Sequence, residues 1–330
     1  MRILVTGATG FIGGRTVEKL LTLNYKEVRS CGRNHDKGKP LVDKGATFYS
    51  GSLLNEKHLE EITRDIDVVI HCAGLAGTWG KYGDYYQANV LATEKLLTAA
   101  QKNGANRFIN ISSPSIYFNY NDQLDLSEGD LPVKFSNHYA KTKFEAEKLV
   151  EAAHSNSFLT VSLRPRFVIG AGDNQILPRL IRLQQSNMLV QIGNGENIVD
   201  MTTVTNVVCA ILLCIDVSSQ SMGEVYNISN GSPVKFWEFV DMVITKMKLP
   251  TKRKKLSYSV VFPLAKLNEF FSLALRRKKE PRLLPITVAA LAKSMTMNIT
   301  KARKNLGYDP KQSLEEGVDE FLLWWQNKIE

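Results

Sequence analysis

A chain of 330 residues, 44% hydrophobic and 23% charged, has the composition of a folded globular protein rather than a disordered one, with room for one large domain or two unequal ones. Its formal charge of +9 is concentrated, because residues 251–280 hold nine basic and two acidic side chains and so carry +7 of it. A local patch therefore needs explaining, not a generally basic surface.

From the N-terminus, Ile3, Leu4 and Val5 form an apolar run without alternation, as in a parallel strand buried on both faces. Gly7, Gly10 and Gly13 follow at intervals of three, and Phe11 to Leu23 reads as a helix. Strand, glycine turn and helix is the context a dinucleotide pyrophosphate requires, since glycine lets the backbone approach and the helix end offers free N–H groups. Glu27 to Cys31 reads as the second strand. Gly32 and Arg33 stand where an NAD-selective site carries an acid for the ribose 2′-hydroxyl. A small residue followed by a guanidinium suits the 2′-phosphate of NADP(H), which is therefore favoured over NAD(H).

Thr47 to Tyr49 reads as a third strand and Asp67 to His71 as a fourth, with His71 a structural histidine. The loop after it carries Ala73, Gly74, Gly77, Trp79 and Gly80 at the strand end where ligands of such sheets lie. Tyr85 to Gln101 reads as one long helix, and Arg107 to Ile111 as a fifth strand ending in Ser112, Ser113 and Pro114. A further helix falls within Lys134 to His154 and a strand at Leu159 to Leu163. This alternation predicts an α/β fold, a doubly wound parallel (Rossmann) sheet over residues 1–170, completed by about 200–230. Beyond Arg164-Pro165 come a loop at Gly170 to Asp173, a helix at Leu177 to Gln185, an apolar helix at Val204 to Val217 against the sheet, and a short strand at Tyr226 to Ile228. The chain is mostly helical from Lys235. Residues 171–199 and 231–330 read as a smaller, mostly helical, partly discontinuous substrate domain.

The chemistry points to one pair. Of eleven tyrosines only Tyr139 has a lysine four residues on, Lys143, and that spacing puts both on one helix face. Reduction of a ketone needs a proton at the developing alkoxide, and a phenol with an ordinary pKa near 10 is a poor partner at neutral pH. A neighbouring ammonium favours the phenolate and brings that pKa down. Lys143 can do this and hold the nicotinamide ribose, while Ser113 can bond the substrate oxygen. The cysteines (Cys31, Cys72, Cys209, Cys214) show no metal-ligand spacing, no metal is expected, and they read as reduced, buried thiols of a cytoplasmic protein. The N-terminal run breaks at glycine too soon for a signal peptide, and no apolar run reaches membrane-span length.

With Gly7-Ala8-Thr9-Gly10-Phe11-Ile12-Gly13, Asn89 in QANVLATEKLL, Ser112-Ser113 with Tyr117, Tyr139-x-x-x-Lys143, Arg164-Pro165 and the tail KARKNLGYDPKQSLEEGV, the chain resembles an extended short-chain dehydrogenase/reductase over nearly its whole length. The stretches at 76–80, 162–173 and 193–210 are most similar to the 3β-hydroxysteroid dehydrogenase/isomerase branch. The resemblance implies Ser113, rather than Ser112, with Tyr139 and Lys143 as catalytic residues. It implies cofactor contacts from Gly7, Thr9, Gly10, Phe11, Ile12, Gly13, Ala73, Gly74, Asn89, Tyr139, Lys143 and Pro165, beside Arg33. It also implies a ketone or secondary alcohol on a large apolar body, such as a 3-oxo or 3-hydroxy fatty acid or a 3β-hydroxysteroid. Ser52 departs from the family pattern, which has an aspartate near the adenine. The alternatives are a nucleotide-sugar epimerase or dehydratase on the same fold, and a non-catalytic NADP(H)-binding scaffold.

Two surfaces follow. The resemblance implies a homodimer through the helices at Tyr85 to Gln101 and Tyr139 to Val150, with Leu91, Leu96 and Leu97 available. In 251–280, Leu264, Leu267, Phe270, Phe271, Ala274 and Leu275 fall within about 140° on a helical wheel between two basic clusters. That pattern suits either a helix covering the substrate pocket or one docking at an anionic membrane surface or membrane-bound partner, leaving the protein cytoplasmic or peripheral. Nucleic acid is disfavoured, because no aromatic–basic interleaving is present.

Overall fold

The computed structural model describes residues 1–329. The apolar runs become a parallel sheet: β1 (Arg2–Thr6), β2 (Glu27–Gly32), β3 (Thr47–Ser50), β4 (Val68–His71), β5 (Arg107–Ile111), β6 (Leu159–Pro165) and β7 (Val225–Ile228), in the order β7-β6-β5-β4-β1-β2-β3. The order reverses between β1 and β4, where Thr6 stands level with His71 and a crevice opens at the strand ends. The absence of alternation in β1 has its reason here. Ile3 and Val5 pack on one face with α1 (Phe11–Leu21), and Leu4 on the other with the helices of the opposite layer, all three fully buried.

α2 (His35–Asp43) packs on the face of the sheet that carries α1 and α3 (Glu56–Thr63) on the opposite face; sequence periodicity alone revealed neither. Each is short and capped by an asparagine, Asn34 and Asn55, whose side chain accepts from a first-turn N–H. The helix expected at 85–101 is three pieces: α4 (Tyr82–Tyr85), a π-helical stretch at Tyr86–Leu91, and α5 (Ala92–Lys102). Asn89 sits in the π stretch and bonds outside the helix, the kind of functional irregularity such stretches mark. Leu96 and Leu97 are 0% and 4% exposed inside the chain's own core, so two of the three leucines expected at a dimer contact are spent on folding, while Leu91 is half-buried. Of the cysteines, Cys31 and Cys214 are buried, but Cys72 and Cys209 only half so, and all four are free.

α6 (His138–Ala152) packs across β5 and β6. After it come α7 (Ile176–Gln185) and α8 (Val204–Asp216), and α8 lies on the sheet as expected. The C-terminal third supplies α9 (Phe236–Lys246), α10 (Tyr258–Ala274), α11 (Pro285–Ala292), α12 (Thr300–Leu306) and α13 (Leu314–Ile329). It is less uniformly helical than its sequence suggests. Met295–Met297 forms the hub of a small mixed sheet with Ile198–Val199 and Gln123–Leu126, and Lys254–Leu256 pairs with Val190–Ile192. Strands of two to four residues are too short for period-two alternation to register.

Candidate active site

The glycine turn is a steric necessity. Gly7 has φ +66°, and a Cβ there would stand 2.6 Å from the Ala73 nitrogen; a Cβ on Gly13 would collide with the Gly7 carbonyl. These close approaches bring the start of α1 against the loop after β4. Gly10 N-caps α1 with no side-chain cap, so the first-turn N–H groups face the crevice uncovered. Two adjoining cavities of about 550 Å³ and about 340 Å³ share Gly7, Gly10, Ala73 and Gly74 and form one cleft over the switch point. A backbone-lined cradle beside an uncapped helix N-terminus fits a dinucleotide pyrophosphate.

Of the residues expected at the cofactor, Thr9 and Arg33 line the larger part of the cleft. Phe11, Ile12, Gly13, Ser113, Tyr139, Lys143 and Pro165 line the smaller part. Asn89 lines neither. It is buried behind the loop, where its amide accepts from Leu75 N at 2.7 Å and donates to Leu75 O at 3.0 Å and Thr142 Oγ1 at 3.1 Å. Asn89 thus ties the Gly74-Leu75 loop to α6. Ser52 lies in the larger cavity at the position where the family pattern has its aspartate.

Tyr139 and Lys143 come one turn apart on α6, started by Asn137 accepting from Ala140 N at 2.8 Å. Burial pushes the Tyr139 phenol above its ordinary value, and a hydrogen bond with Ser113 opposes the shift. Burial pulls Lys143 down to about 8 against the carboxylate of Glu147. The expectation that Lys143 lowers the phenol's pKa is not met in this state. The ammonium donates to Ile111 O at 2.6 Å, and desolvation dominates at Tyr139. Ser113 caps a short 3₁₀ turn, its Oγ accepting from Ser115 N at 3.2 Å, which leaves its proton free to be donated elsewhere. His71 is structural as read: Thr6 Oγ1 lies 2.7 Å from Nδ1 and Thr93 Oγ1 3.0 Å from Nε2, and burial pulls its pKa down to about 3.

Beyond the cleft opens a cavity of about 1290 Å³ under the 76–81 loop, the 133–138 segment and the end of α10. Among the described residues, Tyr139 is the one it shares with the smaller part of the cleft. Its wall combines Trp79, Tyr85, Phe135 and Leu273 with Lys81, Lys134, Lys141, Arg276, Arg277 and Lys278, against Asp84 and Glu269. Trp79 Nε1 donates to Arg277 O at 3.1 Å and Thr78 Oγ1 to Glu280 at 2.6 Å, so the second basic cluster closes over the cavity.

The sequence reading missed five contributors. Lys37 lines the cleft with Arg33 from the first turn of α2, a helix that sequence periodicity did not reveal. Asp173 accepts from the N–H groups of Gln175, Ile176 and Leu177 at 2.7, 3.1 and 2.9 Å and brings the start of α7 to the cleft. Its Gly170–Asp173 stretch showed a loop, but not where the loop returns. Lys81, Lys134 and Lys141 are scattered in sequence and gave no local signal.

A dinucleotide cleft at the switch point, opening past one tyrosine into a second cavity, belongs to the extended short-chain dehydrogenases/reductases, and this chain is an NAD(P)-dependent oxidoreductase of that class. More narrowly, it belongs to the 3-beta hydroxysteroid dehydrogenase/isomerase family, whose profile matches residues 4–258. It is 31% identical to the 2-alkyl-3-oxoalkanoate reductase of Stenotrophomonas maltophilia, over 96% of this chain and 97% of that one. It is 30% identical to the decarboxylating sterol-4-alpha-carboxylate 3-dehydrogenase of Mus musculus, over 96% and 88%. Among solved structures it resembles the UDP-glucuronic acid 4-epimerase of Bacillus cereus in complex with NAD, with TM-score 0.80, 25% identity and full coverage of both chains.

Proposed function

We propose that the protein interconverts a ketone and a secondary alcohol on a large apolar substrate that also carries an anionic group, and that it prefers NADP(H) to NAD(H). The observation that carries this reading is the position of Tyr139, between the dinucleotide cleft and a cavity whose wall is part apolar and part cationic. The relatives named for 2-alkyl-3-oxoalkanoates and sterol-4-alpha-carboxylates support it, since both names describe a carboxylate on an apolar body.

Bound in the cleft, a nicotinamide dinucleotide supplies the hydride. The chain does the rest. Tyr139 gives its phenolic proton to the carbonyl oxygen, and Ser113 holds that oxygen beside it. Lys143, which donates to Ile111 O in this structure, would hold the nicotinamide ribose and would support the phenolate left behind. The basic side chains of the cavity draw in the carboxylate, while the aromatic wall takes the apolar body. The test is cofactor oxidation with purified protein and a panel of 3-oxo acids, 2-alkyl-3-oxo acids and 3-ketosteroids. Turnover of the acids and not of their methyl esters is expected. Six cations on one wall also suit a diphosphate, so UDP-glucose belongs in the panel; its epimerisation without net cofactor oxidation would replace this reading with the epimerase one.

Cofactor choice is tested separately. Arg33 and Lys37 line the larger part of the cleft, and the one acid among its lining residues, Asp84, also lines the large cavity beyond it. NADPH should bind more tightly than NADH. Arg33→Ala should remove most of the preference, a loss of roughly 1.5–3 kcal/mol for a charge-assisted contact. Equal dissociation constants for the two cofactors in the unmodified protein would reject the assignment.

A further inference from the structure

No described helix is long and apolar enough to cross a membrane. α10 nevertheless leaves its apolar arc outside. Leu264, Leu267, Phe270, Phe271 and Leu275 are 53%, 53%, 65%, 53% and 65% exposed, and Ala274 is exposed with them. This is the arc that the sequence places on one face, and it turns away from the cavity rather than over it. The opposite face holds the helix to the protein. Val261 and Ala265 pack with Ile192 and Val288, and Asn268 Nδ2 donates to Leu283 O at 2.8 Å. A soluble chain seldom presents contiguous leucines and phenylalanines to water without something to cover them.

The flanks say what covers them. Lys252, Lys254 and Lys255 at one end and Arg276, Arg277, Lys278 and Lys279 at the other are exposed, so cations stand at both ends of the apolar stripe. Within the segment, Arg253 pairs with Asp241, and Lys266 lies 4.9 Å from the centre of the Phe262 ring. A second copy on the same face would bring two segments of +7 together, which opposes pairing. An anionic bilayer surface meets both features at once, taking the apolar stripe below the headgroups and the bases at their level.

We propose that α10 docks the protein in the plane of an anionic membrane surface. The cavity mouth then faces the bilayer. Leu273 near the end of α10 and Arg276 and Lys278 just beyond it belong to both the docking segment and the cavity wall, which Val133 also lines, fully exposed. An apolar substrate passes from the lipid into the cavity without crossing water.

Vesicle flotation of the full chain tests the docking independently of any activity. With phosphatidylcholine vesicles containing phosphatidylglycerol, at low salt, most of the protein should float. The bound fraction should fall at least tenfold with phosphatidylcholine alone, and likewise at about 1 M salt, where screening reaches a few ångströms. Leu267→Glu with Phe270→Glu should abolish flotation at unchanged melting temperature, both side chains being exposed. Lys254→Glu with Lys279→Glu should weaken it while leaving the apolar stripe intact. The proposal is overturned if the unmodified protein stays down with anionic vesicles at low salt, or if either double variant floats like the parent. It is equally overturned if sedimentation shows a dimer that Leu267→Glu with Phe270→Glu dissolves, since a second copy would then occupy the face.

Discussion

Tyr139→Phe should lower turnover by ~10² or more on the true substrate while leaving cofactor affinity within a few-fold, because the ring keeps its place and only the transferable proton is lost. The cost arises from the setting as much as from the group. Burial raises the phenol and depresses Lys143 to about 8, so each charge is disfavoured alone in this pocket. Phenolate and ammonium formed side by side compensate each other, and the state after proton donation is the one in which they coexist. The pH dependence follows. In the reductive direction the protonated phenol is the donor, so the rate should fall as pH rises through its pKa. In the oxidative direction the phenolate is the base, and the slope should reverse. Both limbs should vanish in Tyr139→Phe. Lys143→Ala should damage cofactor affinity and turnover together. A Tyr139→Phe variant that retained substantial activity would assign the proton to another group, and Ser113 would be the first to replace.

The sheet and the cofactor cleft were legible because their signals are local. A buried parallel strand leaves an unbroken apolar run, and glycines at 7, 10 and 13 leave a spacing that only a close backbone approach explains. Tyr139 and Lys143 were legible for the same reason, four residues apart on one helix. What was not legible is held together by distance in sequence. Asn89 was expected against the cofactor, and its place behind the Gly74-Leu75 loop depends on α6, some fifty residues away. Leu96 and Leu97 carry the same letters in a dimer face or a core, and only the position of β4 and β5 decides between them. Of the lysines on the wall of the large cavity, Lys81 and Lys134 come from two loops and Lys141 from α6, and the second basic cluster joins them through Trp79 and Thr78, which no helical wheel of 251–280 contains.

Glu147→Ala should destabilise the protein by about 3–5 kcal/mol, the cost of leaving a buried cation without its partner. Tyr139, Lys143 and Glu147 form one stripe on α6, and the stripe ends in an ion pair 2% exposed on both sides. Arg164 on β6 donates to the two Glu147 oxygens, Nε at 2.9 Å and Nη2 at 2.6 Å, and its other amino group reaches the Tyr117 hydroxyl and Glu128 O. Tyr117 in turn donates to Asn227 Oδ1 at 2.7 Å. The network fastens α6 to β6 and to the strand beyond it, so Arg164, which the sequence offered only as half of Arg164-Pro165, holds the helix that carries Tyr139 and Lys143. Glu147 also supports the charge on Lys143, and its loss should depress that lysine further. Denaturant unfolding measures the first effect. The double variant Glu147→Leu with Arg164→Met distinguishes an uncompensated charge from lost packing, since buried pairs replaced whole by apolar residues often lose little. It should recover most of the stability but not the activity, because the apolar replacement restores the fold and leaves Lys143 without its acid. If Glu147→Ala alone unfolded at the same denaturant concentration as the parent, the pair would contribute nothing to stability, and the rigidity of α6 would have to come from its packing on β5.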